Sequence, residues 1–86
     1  MLRIYGSMLC PDCVKCREDL DQAGVEYTYL DFSADLRNLM EFLKLRDAHP
    51  VFDTPKANGM IGIPCIVDDI GAVSLDWSFY VGQANA

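Results

Sequence analysis

Residues 8–16 read Met-Leu-Cys-Pro-Asp-Cys-Val-Lys-Cys and place three of the chain's four cysteines at three-residue intervals. Sulfur at this spacing can grip a metal ion, staple a fold or carry electrons through thiol-disulfide exchange. In a reducing compartment, cysteines serve as catalytic groups or metal ligands more often than as permanent crosslinks, which narrows the choice to two.

The residues around the cluster separate the sulfurs. Leu2 to Gly6, with Leu2, Ile4 and Gly6 on one side, reads as a short strand ending just before the cysteines. Asp12 to Ala23 has helical spacing, with Cys13, Cys16, Leu20 and Ala23 on one stripe and Gly24 as the stop signal. Cys10 therefore stands where a strand hands over to a helix, beside unpaired N–H groups and the positive end of the helix dipole, and both favour a thiolate. Pro11 suits the first helical turn because the N–H it lacks would have no partner there. Asp12 acts the other way, since a carboxylate next to a sulfur opposes its ionisation. Pro11 and Asp12 are thus the residues expected to tune the site.

Cys13 lies one turn along on the inward stripe, placed to resolve a mixed disulfide formed at Cys10. Cys16 falls on the same stripe and reads as a small core residue. Together with Cys65 it would otherwise complete a four-thiolate set for zinc or an iron-sulfur cluster, so a small metal-binding protein is the alternative. An interaction module with idle cysteines is a third reading.

The elements that must position these sulfurs follow along the chain. Val25 to Leu30 is a second strand, and strand, helix, strand makes a parallel βαβ unit. Ser33 is the expected cap of a second helix, with Asp35 in its first turn and a stripe of Leu36, Leu39, Met40 and Leu43. His49-Pro50 ends it, and Val51 to Met60 is expected to be loop or short helical turns. Ile63 to Val67 and Ala72 to Leu75 form an antiparallel hairpin across Asp68-Asp69-Ile70-Gly71. The order β-α-β-α-β-β predicts a single α/β domain over residues 1–86, with a four-stranded mixed sheet flanked by helices. Trp77, Phe79 and Tyr80 are expected to cover the sheet from a short tail.

Charge limits the partners. Seven Lys and Arg against thirteen Asp and Glu give a net charge of −6, and no basic run exists to neutralise nucleic-acid phosphates or an anionic membrane surface. No apolar stretch approaches the length of a membrane span, and the first ten residues do not resemble a secretory signal. A cytoplasmic protein beginning at Met1 is expected. His49, the sole histidine, reads as a loop residue, and Glu18-Asp19 and Asp68-Asp69 read as a solvated helix face and a turn.

A strand, then Cys10-Pro11-Asp12-Cys13 opening a helix, then Gly62-Ile63-Pro64 before a hairpin, resembles the glutaredoxin branch of the thioredoxin-like superfamily over nearly the whole chain. The resemblance implies a thioredoxin-like fold and a thiol-disulfide oxidoreductase with no bound cofactor or metal. Cys10 would be the nucleophile and Cys13 the resolving thiol. Pro64 would be cis and face Cys10, with Ile63 offering main-chain groups to a disulfide-containing protein or small-molecule substrate. Glutathione or a thioredoxin-reductase-type flavoprotein would be the electron donor. Two departures bear on glutathione: Ser7 stands where such proteins carry a lysine, and Gly71-Ala72-Val73-Ser74-Leu75-Asp76 lacks their Gly-Gly pair. Arg46 and Lys56 are the cations available to replace the lost charge, and the loop before Pro64 is longer than in a minimal member.

Overall fold

Alternation along Leu2-Arg3-Ile4-Tyr5-Gly6 gives the first strand two useful faces, and in the computed structural model, which describes residues 1–84, this strand runs through the middle of the sheet. β1 (Leu2–Gly6) pairs in parallel with β2 (Tyr27–Asp31), Ile4 opposite Tyr29, and antiparallel with β3 (Cys65–Val67), Ile4 opposite Ile66. β3 turns through Asp68–Gly71 into β4 (Val73–Ser74), giving the order β2-β1-β3-β4. The mixed four-stranded sheet of the sequence reading is present.

Pleating sends alternate side chains into two cores. On one face Ile4 and Ile66 meet Cys16 and Leu20 of helix α1 (Pro11–Gln22) and Tyr80 of helix α4 (Ser78–Ala84). On the other, Tyr5, Cys65 and Val67 meet Phe42 of helix α2 (Leu36–Ala48) and Phe52 of the 3-10 turn Pro50–Phe52. Phe42 anchors this second core, stacked on Phe32 with ring centroids 5.3 Å apart and edge-on to Phe52 at 5.7 Å. Trp77 packs against the first core and donates its indole N–H to Asp19 at 2.9 Å, tying the C-terminal segment to α1.

Helix α2 differs from the sequence reading in two ways. Its cap is Asp35, whose carboxylate accepts the Arg37 N–H at 2.9 Å, because the Ser33 hydroxyl is already engaged with Asp31 and Ser7. Its buried face runs through Leu39 and Phe42, while Leu36, Met40 and Leu43 of the expected stripe are 73%, 60% and 41% exposed. The helix is rotated by about one residue position, since burying the Phe42 ring removes more apolar surface from water than any leucine or methionine would. The segment between α2 and β3 carries the 3-10 turn and helix α3 (Asp53–Ala57); β2 and β4 differ from expectation by one to two residues at each end, and β3 starts two residues later but ends at Val67 as expected. No helix among the described residues is long and apolar enough to cross a membrane.

Candidate functional site

Tight local turns deliver Cys10 to the start of α1. The Cys10 N–H donates to the Ser7 carbonyl at 3.0 Å, and the Cys10 carbonyl receives the N–H groups of Cys13 and Val14 at 3.1 and 3.2 Å, so Cys10 is the N-cap residue. Its backbone is extended (φ −95°, ψ 122°) and Pro11 occupies the first helical position. No side chain caps this helix end, so its first amides have no side-chain partner. Cys10 is half-buried, whereas Cys13 is fully buried one turn deeper. All four cysteines are free thiols.

Burial dominates the chemistry of the inner sulfurs. Cys13 is pushed up to about 11, chiefly by desolvation and then by the charge and hydrogen bond of neighbouring Cys10, while the Ser7 N–H and the Tyr29 phenol pull it down. Cys16 and Cys65 are pushed up to about 12 by burial. They lie in different cores on opposite faces of the sheet, so the four sulfurs do not converge. Among the described residues no cluster of three or more His, Cys, Asp or Glu side chains is arranged to hold a metal.

Two adjoining clefts meet at Cys10. One, of about 270 Å³, is lined by Asp12, Gly59, Met60, Ile61, Gly62 and Ile63. The other, of about 430 Å³, continues over Ser7, Leu9, Phe32 and Ser33. Ile63 belongs to both, and its peptide bond to the buried Pro64 is cis. The structure thus brings Cys10, Asp12 and Ile63 to the clefts, with Pro11 and Cys13 beside Cys10 in the first turn of α1 and Pro64 bonded to Ile63. The walls are apolar, with Leu9 87% and Ile61 55% exposed, and Asp12 contributes the one charge among the lining residues.

The cations considered for this cleft are used elsewhere or lie outside its lining. Arg46 donates to the carbonyls of Ile61 and Met60 at 2.8 Å each and so clamps the loop that forms the wall. Lys56 is not among the lining residues. Ser7 is buried, its hydroxyl shared with Ser33 at 2.8 Å and accepting the Leu9 N–H at 3.1 Å. His49 also plays a local part, its Nδ1 accepting the Val51 N–H at 3.1 Å.

The chain is 42% identical over 75 residues to an uncharacterized protein of Haemophilus influenzae, a match spanning 87% of each chain. It belongs to that protein's family. No family model matches the chain, and no solved structure matches it significantly.

Three residues support the site from behind, and two of them, Gly6 and Tyr29, belong to no sequence motif. Gly62 has φ +89°, and a Cβ there would stand 2.7 Å from the Phe52 ring, so glycine is required to lay the loop against the core. Gly6 sits beneath Cys13, where a Cβ would stand 2.7 Å from its Sγ and 2.9 Å from the Tyr29 hydroxyl oxygen. Tyr29 brings that hydroxyl to the same point from β2. A glycine at a strand end is the only hint the sequence holds of such close approach.

Proposed function

We propose that the protein is a glutaredoxin-like thiol-disulfide oxidoreductase with a thioredoxin-like fold, acting through Cys10 and Cys13. The observation that carries this reading is the pairing of a half-buried Cys10 at an uncapped helix N-terminus with a fully buried Cys13 one turn behind it. The outer sulfur has access to substrate and the field of the helix end. The inner sulfur is sheltered and reaches only its partner.

In the reaction, the Cys10 thiolate attacks one sulfur of a substrate disulfide, forming a Cys10 mixed disulfide and expelling the other sulfur as a thiolate that takes a proton from water. Cys13, on losing its proton, attacks the Cys10 sulfur, expels the second substrate thiolate and closes a Cys10–Cys13 disulfide. Two electrons pass from protein to substrate, and an external thiol donor, glutathione or a thioredoxin-reductase-type flavoprotein, restores the dithiol. Ile63, at the junction of the two clefts, would meet the substrate main chain beside the reacting sulfurs. The apolar, weakly acidic walls favour a protein disulfide flanked by apolar residues over one carrying carboxylates. On this reading the protein sits in a reducing cytoplasm, where a reducing donor keeps such a dithiol reduced.

Turnover of a protein disulfide with a reducing donor tests the reading. Cys10→Ser should abolish it, while Cys16→Ala and Cys65→Ala should retain it. Undiminished turnover in Cys10→Ser would exclude the mechanism.

A further inference from the structure

Resolution requires a thiolate at a fully buried sulfur, and the structure holds a phenol donor beside it. The Tyr29 hydroxyl oxygen is buried and has no hydrogen-bond partner of good geometry among the described residues. It converges with Cys13 Sγ on the space left by the missing Gly6 side chain, 2.9 and 2.7 Å respectively from where a Cβ would be. Its ring is fixed from outside by Arg17, whose guanidinium carbon lies 4.5 Å from the ring centroid and whose Nε donates to Tyr27 at 3.2 Å. A buried hydroxyl without a partner costs stability in the resting state, and a role in the chemistry is one reason a fold keeps such a group.

We propose that Tyr29 is a positioning residue for the resolving step, its phenol O–H donating a hydrogen bond to Cys13 Sγ whenever that sulfur is a thiolate. This covers both directions: Cys13 attacking the Cys10 mixed disulfide, and Cys13 leaving when a donor thiolate attacks Cys10 of the closed disulfide. The phenol keeps its proton throughout. Burial, and then the charge of Cys13, drive its ionisation far above the ordinary tyrosine range, so it serves as a donor rather than a base. Water takes the proton when Cys13 ionises, and the Ser7 N–H is the second donor to the same sulfur.

The charged and titratable groups facing the pair are consistent with this role. Cys10 at the cap of α1 and Cys16 within it are the neighbouring thiols, Asp31 two residues along β2 acts on Tyr29 by its charge, and Arg17 on α1 is the one cation, favouring a more acidic and hence stronger O–H donor.

The inference rests on the proposed Cys10–Cys13 chemistry, and the test separates the two. Cys10 is loaded as a mixed disulfide with thionitrobenzoate, and release of the coloured thiolate by Cys13 is followed by stopped flow from pH 6 to pH 10. Tyr29→Phe keeps the ring and its packing. It should move the alkaline rise of the release rate upward by about one pH unit. At neutral pH release should slow by about threefold, less than the tenfold loss of thiolate, because a more basic thiolate is also more nucleophilic. A difluorotyrosine at position 29, a stronger donor in the same shape, should move the profile the opposite way. Failure of Cys10 to accept the label would sink the Cys10–Cys13 mechanism itself. Normal labelling with superimposable release profiles in the three proteins would overturn the role of Tyr29 alone.

Discussion

Replacing Gly6 with alanine adds one methyl group at the point where three elements converge on the site. The new Cβ would stand 2.7 Å from Cys13 Sγ and 2.9 Å from the Tyr29 hydroxyl, well inside ordinary van der Waals contact. Neither neighbour has an easy retreat, because Cys13 is fully buried in the first turn of α1 and β2 is hydrogen-bonded to β1 along its whole length. Overpacking of this kind costs about 1–3 kcal/mol. Alanine recovers about 0.5–1 kcal/mol of backbone entropy relative to glycine in a strand, so the net loss should be about 0–2.5 kcal/mol, centred near about 1 kcal/mol. Urea unfolding at neutral pH reads it as a lower midpoint with an unchanged slope.

The Gly6→Ala effect should also be coupled to Tyr29. In Gly6→Ala/Tyr29→Phe the closer of the two contacts remains while the oxygen is gone, so the double variant should recover part of the loss, with a coupling above about 0.5 kcal/mol. Because the displaced atom is the sulfur proposed to resolve the mixed disulfide, closure of the Cys10–Cys13 disulfide should slow as well. A Gly6→Ala protein as stable as the parent, with no coupling to Tyr29, would refute the close convergence on which this reasoning depends.

Other expectations follow from the same geometry. The buried thiols of Cys13, Cys16 and Cys65 keep their protons in the folded state at pH values where the unfolded chain has lost them. Stability should therefore be unaffected below about pH 8 and fall from pH 9 upward by as much as about 4 kcal/mol per pH unit; urea midpoints against pH should show this, with a shallower fall in Cys16→Ala. Arg46→Ala frees the carbonyls of Met60 and Ile61, and amide hydrogen exchange should quicken across residues 59–63 while the β1 amides stay protected. Asp12→Lys reverses the one charge lining the cleft and should speed reaction with glutathione disulfide about three- to tenfold at low salt, an advantage that shrinks as ionic strength rises.

The strand and helix that frame Cys10 were legible because their signals are local. Alternation through Ile4 and Gly6, the inward spacing of Cys13, Cys16 and Leu20, and the Gly24 stop each depend on near neighbours in sequence. The face of α2 was not legible. Leu36, Met40 and Leu43 make as good an apolar stripe as Leu39 and Phe42, and only the partners Phe32 and Phe52, brought in by other elements, decide between them. The cap failed for a similar reason, since Ser33 and Asp35 both suit the position and Ser33 is drawn off by Asp31 and Ser7. Convergence of Gly6, Cys13 and Tyr29 needs β1, α1 and β2 together, and its one trace in the sequence is the glycine at the end of β1.

Peptide mapping of a trapped intermediate tests the central claim most directly. Cys13→Ser protein mixed with a protein disulfide should accumulate a covalent adduct whose only substrate linkage is at Cys10, with Cys16 and Cys65 recovered as free thiols. An adduct at Cys16 or Cys65, or no adduct alongside undiminished turnover, would contradict it.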